Sequence, residues 1–306
     1  MLGAEYPHSL FGIAWRHLCR NHAHDSICGC SIDQVHKDML YRFDQAEIIA
    51  REVLEIDPLN PYAFNELRLI SHNPGGSGWS EELHHLFRDY PENHLELATC
   101  YLGSGLYAEA KAILEMAENS EHVAANSYPS IYYYLGYMNH LTGNEDRARH
   151  YFAEGMSNPV RYCFPFRLES INVYKTALQY NEKDSRACYY MGNLFYDKQP
   201  EVAIGWWEKA VGFEPALAMA HRNLGWGYQQ ALDQSDRAIE AYHLAIKHDP
   251  TQARFYSELD KLLEDAGAPV QTRLDLLTSN HEHVKKLQPA IMREILVLVL
   301  AGEYDR

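Results

Sequence analysis

From about residue 90 onward, one pattern of apolar, small and proline residues recurs along the chain. Its period is about 34 residues, and a fixed period of this length indicates stacked structural repeats. Four windows share the same offsets, with apolar and small residues first and alanine, aromatic and proline residues later. The windows carry Leu97, Ala98, Tyr101, Ala110, Leu114 and Ala117; Tyr132, Leu135, Gly136, Ala148, Phe152 and Gly155; Met191, Gly192, Phe195, Ala203, Trp207, Ala210 and Pro215; and Leu224, Gly225, Tyr228, Ala238, Tyr242, Ala245 and Pro250.

Each window predicts two helices that pack closely. Small residues such as Gly136 and Gly225 let the two helices approach, and large residues such as Trp207 fill the space between units. Pro215 and Pro250 end the second helix, because proline cannot continue it. One unit cannot bury its apolar face alone, so several must stack. An ordinary all-α bundle with accidental spacing is the alternative.

These windows resemble tetratricopeptide repeat (TPR) units. The resemblance implies an all-α fold, a TPR-type α-solenoid in which antiparallel helix pairs form a right-handed superhelix. We expect this repeat domain to cover residues 56–306, with a short helical segment before it. It also implies that partners bind in a concave groove lined by the first helix of each unit.

The groove-facing offsets define candidate contact residues. Helical spacing of four places two of them on one face of each first helix. We expect Asn193 to bond a peptide backbone and Arg222 to pair with a carboxylate of a bound protein or peptide. For Tyr133 and Tyr189, packing between helices is an equally good interpretation. The candidates are Leu95 and Thr99, Tyr133 and Tyr137, Tyr189 and Asn193, and Arg222 and Trp226.

A second, unrelated signature lies near the N-terminus, where the run from His24 to Ser31 reads His-Asp-Ser-Ile-Cys-Gly-Cys-Ser. With flanking residues from 5 to 54, it resembles bacterial class II α-mannosidases, glycoside hydrolase family 38. Those enzymes are retaining hydrolases that hold a zinc ion on sugar hydroxyls. The resemblance implies that His24 is a zinc ligand and that Asp25 contacts substrate. We expect residues 1–55 to be a helical fragment of this origin.

The chain lacks the rest of that active site. A catalytic zinc takes about three protein ligands, and a retaining glycosidase needs two carboxyl groups. The family supplies these groups from an upstream domain, so we predict a remnant with no catalytic residue and no bound cofactor. The alternative is a fragment of a zinc-dependent α-mannosidase that acts on α-mannosides, with zinc bound, when another polypeptide completes the site.

A structural zinc site is a further alternative for the same segment. Its histidines and cysteines are numerous enough, but the Cys-X-Cys spacing is tighter than that of most zinc sites. The simplest interpretation is that the histidines face solvent and the cysteines pack as small apolar residues. The side chains concerned are Cys19, His22, His24, Cys28, Cys30 and His36.

Composition excludes some partners. The formal net charge of −15 argues against nucleic acid, which requires clustered basic residues. Six cysteines in 306 residues do not form a disulfide framework, which fits a reducing cytoplasm. The N-terminus has no signal-peptide pattern, and the apolar run 291–300 is too short to cross a bilayer. We expect a cytoplasmic protein that does not contact a membrane.

The C-terminal run 291–306 reads as the first helix of a further unit plus its turn. Without a covering second helix, apolar side chains on this helix would stay partly bare, and a solenoid end requires a polar cap. We therefore predict self-association or poor solubility through this end. The side chains are Leu296, Leu298, Val299 and Leu300.

Overall fold

The structure is a computed structural model that describes residues 8–21, 33–70, 78–88, 90–118, 128–160 and 163–303. Within these ranges every regular element is a helix, which confirms the all-α prediction. The chain divides into two compact units, Met1–Asn126 and Ser127–Arg306, which we call unit 1 and unit 2. The domain boundary expected near residue 55 lies inside unit 1, so it does not coincide with this division.

Unit 1 contains six described helices. α2 packs against both α1 and α3, around a small apolar core that includes Val53, Ala63 and Leu67. α5 and α6 pair over the first of the four repeat windows. The helices are α1 His8–Asn21, α2 Asp33–Ile56, α3 Pro61–Ile70, α4 Gly78–Phe87, α5 Pro91–Gly103 and α6 Tyr107–Glu118.

Unit 2 holds the other three windows, and each of them forms an antiparallel helix pair: α7 with α8, α10 with α11, and α12 with α13. The predicted TPR-type α-solenoid is therefore confirmed in the described residues. The helices are α7 Pro129–Leu141, α8 Glu145–Ser157, α9 Ser170–Tyr180, α10 Ser185–Phe195, α11 Pro200–Phe213, α12 Ala218–Leu232, α13 Ser235–His248, α14 Ala253–Asp265, α15 Val270–Thr278, α16 His281–Val284 and α17 Gln288–Ala301.

Glycines set the close approach within the three helix pairs of unit 2, as the sequence predicts. A Cβ added to Gly136 would lie 2.6 Å from the Phe152 ring, and one added to Gly225 would lie 2.6 Å from the Tyr242 ring. In the pair α10–α11, Gly192 faces the indole of Trp207 in the same way. Since real Cβ atoms do not make such contacts, only glycine lets the aromatic ring of the second helix reach the first.

The turn between α7 and α8 shows how one pair is closed. Gly143 adopts a φ of +76°, a left-handed conformation that glycine reaches without strain. Asn144 follows as the N-cap of α8, and its side chain accepts a hydrogen bond from the backbone N–H of Arg147 at 3.3 Å. The local sequence Thr-Gly-Asn therefore ends one helix and begins the next.

α9 has no second helix of its own, and it packs between α7 and α10. Two buried hydroxyl pairs tie it to α7: Tyr174 with Ser130 at 2.9 Å, and Ser170 with Tyr134 at 2.7 Å. The Tyr174 ring also lies 5.2 Å from the ring of Tyr190 on α10. This tyrosine-rich layer connects α7, α9 and α10.

The helices from α14 to α17 form a second core in unit 2, with Tyr256, Leu277 and Val297 among its buried residues. A buried ion network crosses it, because the carboxylate of Asp260 is fully enclosed and receives both Arg273 and Arg293. Ions buried in this way are stable only when they are paired. The network therefore fixes α15 and α17 against α14.

Candidate functional site

The mannosidase-like residues His24 and Asp25 lie outside the described residues. Cys28 and Cys30 of the alternative zinc site do so as well. Within the described ranges, no group of three or more His, Cys, Asp or Glu side chains is arranged to hold a metal ion. The predicted roles of these residues remain predictions.

Two of the predicted groove tyrosines are core residues. Tyr133 is 0% exposed and Tyr189 is 1% exposed. The hydroxyl of Tyr133 donates to both carboxylate oxygens of Asp184, at 2.8 and 2.9 Å, and its ring contacts the ring of Tyr174. The structure thus favours the packing interpretation for these two positions.

In unit 1, the candidates Leu95 and Thr99 on α5 are buried as well. Thr99 donates its hydroxyl to the backbone carbonyl of Glu96. Tyr137 on α7 is half-buried. Leu95 and Thr99 are therefore not open contact residues, whereas Tyr137 is partly exposed, as Asn193 on α10 and Arg222 on α12 are.

Asn193 lies at the centre of a polar ladder on the first helices of unit 2. Its side-chain oxygen accepts from the indole N–H of Trp207 at 3.0 Å and from the amide of Asn223 at 2.9 Å. The oxygen of Asn223 in turn accepts from Arg222 at 3.1 Å. The ladder connects α11, α10 and α12, and it holds Asn193 in one orientation.

Arg222 already pairs with a carboxylate of this chain. It donates to Glu258 through Nε at 2.7 Å and through Nη2 at 2.5 Å, a bidentate geometry. Arg254 donates to the same carboxylate at 2.7 Å. Burial raises the pKa of Glu258, but the hydrogen bonds from the two arginines outweigh it, so the pKa lies below its usual value of 4.5. The guanidinium that the sequence predicts to pair with a carboxylate of a bound partner is therefore already paired within this chain.

Trp226 is the exposed member of the group. It is 40% exposed on α12, and the guanidinium of Arg222 lies 5.5 Å from its ring centroid. An indole held beside a cation and open to solvent offers a large apolar contact surface. We call the set Asn193, Arg222, Trp226, Arg254 and Glu258 the Trp226 surface.

Glu258, Arg254 and Asn223 are not among the contact residues that the sequence predicts. One signal was present, because Arg222 and Glu258 are 36 residues apart, close to one repeat period. Residues at equivalent positions of successive repeats lie side by side in a solenoid, so opposite charges one period apart predict an ion pair.

A cleft of about 440 Å³ lies elsewhere in unit 2, between α8, α9 and the N-terminus of α10. Its apolar wall includes Phe152, Met156 and Tyr180. Among its charged groups, Arg186 pairs with Glu214, and the carboxylate of Asp184 accepts from Tyr133 and from the N–H of Ala187. The guanidinium of Arg149 lies over the ring of Tyr180, 5.3 Å from its centroid.

Comparisons with known proteins bear on the two signatures separately. No family model matches the chain. A putative mannosylglycerate hydrolase of Halalkalibacterium halodurans is 61% identical over 33 residues. That stretch is 11% of this chain and 4% of the relative, so the chain spans a very small part of that protein.

Among solved structures, a thermophilic TPR protein of Thermus thermophilus matches 69% of this chain and 100% of its own, at 17% identity and a TM-score of 0.38. The pilF protein of Pseudomonas aeruginosa matches 70% of this chain and 86% of its own, at 15% identity and a TM-score of 0.38. MamA from Desulfovibrio magneticus matches 71% and 97%, at 19% identity and a TM-score of 0.32. Because these scores are below 0.5, the architecture described above rests on this chain's own helix pairs.

No helix in the described part of the chain is both long enough and apolar enough to pass through a lipid bilayer.

Proposed function

We propose that unit 2 binds a protein partner through the first helices of its repeats, with Trp226 as the anchor residue. The supporting observation is the exposed indole beside a fixed ion pair. Tryptophan and arginine are the residue types that dominate binding energy at protein interfaces. The hydrogen bonds of the Asn193 ladder hold the surrounding side chains in place before binding, which lowers the entropic cost of association.

The charges of the Trp226 surface suggest the kind of segment it binds. Two arginines share the single carboxylate of Glu258, so this group carries a net positive charge within a chain whose net charge is −15. Arg254 is largely exposed. A segment with an apolar side chain for Trp226 and an acidic side chain for Arg254 fits both features.

The test compares two exposed aromatic residues of unit 2. Partners captured with the wild-type protein are identified by mass spectrometry and titrated by calorimetry against Trp226→Ala and Phe213→Ala. Phe213 lies on α11, a second helix, and is 42% exposed, which matches Trp226. We expect Trp226→Ala to weaken binding at least about tenfold, as the loss of an anchor does. Equal affinity of the two variants would refute the proposal.

A second candidate function follows from the short match to the putative mannosylglycerate hydrolase. In this proposal the N-terminal segment belongs to a zinc-dependent glycoside hydrolase site that another polypeptide completes, with His24 as zinc ligand and Asp25 at the substrate. The match and the His24-Asp25 motif support it. The purified chain is tested for zinc content and for hydrolysis of an aryl α-mannoside, alone and with a supplied catalytic domain. A His24→Ala variant that binds as much zinc as wild type would refute the assigned ligand.

A further inference from the structure

The connection between α8 and α9 presents large apolar side chains to solvent. In residues 163–168, which we call the Phe166 segment, exposure alternates from one residue to the next. Every second side chain is between 63% and 77% exposed: Phe164, Phe166 and Leu168. The side chains between them are buried or half-buried: Cys163, Pro165 and Arg167. An alternation with a period of two is typical of an extended chain that packs one face against the protein.

The local sequence explains why this segment is extended. The ring of Pro165 fixes its own φ near −65°, and it keeps the preceding residue, Phe164, out of the helical region. From Cys163 to Arg167 the chain accordingly contains no helix and no turn.

Both ends of the Phe166 segment are tied to buried residues. The sulfur of Cys163 lies 3.0 Å from the hydroxyl oxygen of Ser130 on α7. Beyond the other end, the hydroxyl of Ser170 pairs with that of Tyr134 at 2.7 Å. Because the segment is held in place before any partner arrives, binding through it requires little further loss of conformational freedom.

One edge of the Phe166 segment has unpaired backbone groups. The N–H groups of Phe164 and Phe166 donate to no acceptor in the described part of the chain. In an extended chain, the N–H and C=O groups of one residue point to the same edge, and those of the next residue point to the other edge. Pro165 lacks an N–H, so it interrupts only the opposite edge. The edge that carries Phe164 and Phe166 can therefore pair with a further strand.

We propose that the Phe166 segment docks on a partner protein by joining the edge strand of that protein's β-sheet. The backbone groups of Phe164 and Phe166 continue the sheet, and the three exposed side chains enter an apolar surface of the partner. In this mode of recognition, backbone hydrogen bonds give affinity and pockets for alternate side chains give specificity. The pockets are expected about 6.6 Å apart, which is the distance between alternate residues of a strand.

Two charged residues border the exposed side chains. The guanidinium of Arg167 lies 4.3 Å from the ring centroid of Phe166. Glu169 is exposed in the turn that follows. The docking surface thus has one charge of each sign and no net charge, although the whole chain carries −15.

Two other occupants fit this surface less well. A second copy paired edge to edge would leave both sets of apolar side chains on the open face of a two-stranded ribbon, whereas a folded sheet protein can cover them. A lipid bilayer offers no acceptors for the N–H groups of Phe164 and Phe166. The net charge of −15 also opposes an anionic membrane surface.

The first experiment is site-specific cross-linking of the full chain in cells of its source. The photoreactive residue p-benzoylphenylalanine replaces Phe166 or, as the control, Phe213 on α11, which is 42% exposed. Mass spectrometry identifies the proteins that are cross-linked at position 166 and not at position 213, and it maps the cross-linked peptide. We expect that peptide to be the edge strand of a β-sheet. A cross-link to a helix or to a second copy of this chain, or no cross-linked protein at all, would overturn the proposal.

The second experiment titrates the purified partner by calorimetry. Phe166→Asp places a charge in the apolar contact, so we expect it to raise the dissociation constant at least about tenfold, whereas Phe213→Asp should leave it unchanged. Both side chains are largely exposed, and circular dichroism establishes that the variants remain folded. Hydrogen exchange is expected to show protection of the amides of Phe164 and Phe166 in the complex. Equal affinity of the two variants, or unprotected amides, would contradict strand pairing.

Two further measurements separate this surface from other sites. We expect Trp226→Ala to leave the affinity for this partner unchanged, and loss of the partner by Trp226→Ala but not by Phe166→Asp would overturn the assignment. The wild-type protein is also sedimented with vesicles of phosphatidylcholine, with and without phosphatidylglycerol. Vesicle binding that Phe166→Asp abolishes would assign the exposed side chains to a lipid surface instead.

Discussion

At Gly225 the two helices of one repeat come close enough that a single methyl group has no room. The nearest atoms belong to the ring of Tyr242, which is buried and cannot move away easily. Gly205 on α11 is a glycine without this role, because a Cβ added there meets nothing within 4 Å. Glycine is therefore required for helix packing at position 225 but not at position 205.

We expect Gly225→Ala to destabilise the protein by up to about 2 kcal/mol. Overpacking against Tyr242 costs about 1–3 kcal/mol, and the better helix propensity of alanine offsets about 1 kcal/mol. Gly205→Ala gains the propensity without the clash, so we expect it to stabilise by up to about 1 kcal/mol. Urea unfolding measures both. If the Gly225→Ala variant were more stable than the Gly205→Ala variant, the close approach of α12 and α13 at Gly225 would be contradicted.

Asp184 is a buried carboxylate with two structural roles. It caps α10 by accepting from the N–H of Ala187 at 2.9 Å, and it accepts from Tyr133 of α7. Burial raises its pKa from 3.8 to about 6, although these hydrogen bonds and the nearby Arg186 act in the opposite direction. The folded state thus holds the proton of Asp184 more tightly than the unfolded chain does.

This shift predicts a pH dependence of stability. A raised pKa contributes stability that is fully present below pH 3.8 and is lost as the pH rises through about 6. Asp184→Asn keeps an acceptor for both hydrogen bonds and removes the titration. We expect the unfolding free energy of wild type, relative to this variant, to fall by on the order of 3 kcal/mol between about pH 4 and about pH 7.5. A difference that stays constant with pH would contradict the raised pKa.

At the scale of the element, α9 shows how a helix outside the repeat becomes part of the solenoid. None of the four repeat windows includes its residues. Its position is fixed by hydroxyl pairs with α7 and by ring contact with α10. Buried hydroxyls require partners, so both members of each pair depend on correct docking of α9.

A double-mutant cycle on Ser170 and Tyr134 tests this docking. Ser170→Ala leaves the buried hydroxyl of Tyr134 without its partner, which costs about 1–3 kcal/mol. Tyr134→Phe in the same chain removes the unsatisfied group, so we expect the double variant to be less destabilised than the sum of the single ones. Urea unfolding gives the coupling energy, and simple additivity would show that α9 does not dock through this pair.

At the scale of the whole molecule, the chain consists of two compact units, and unit 2 contains both the tyrosine-rich layer and the core of α14 to α17. The Trp226 surface belongs to this unit. A domain that contains its own core folds independently.

We therefore expect a fragment of residues 127–306 to retain its helical circular dichroism and to unfold cooperatively. Its buried core is made from its own side chains, so removal of unit 1 should change its helix content per residue little. Guanidinium unfolding followed by circular dichroism and by tryptophan fluorescence measures this. Transitions that do not coincide, or a fragment without helix, would show that unit 2 depends on unit 1.

The sequence by itself determined the helix pairs, because their small and large residues recur at offsets that only two closely packed helices satisfy. Gly136, Gly192 and Gly225 mark their contacts without any knowledge of the fold. Tertiary structure alone decided which of the predicted groove residues remain available for contact with a partner. The hydroxyl of Tyr133 donates to Asp184, and the guanidinium of Arg222 is paired with Glu258, whereas the indole of Trp226 remains exposed. The sequence pattern could not distinguish these cases, because burial and ion pairing depend on the neighbouring repeat rather than on local spacing.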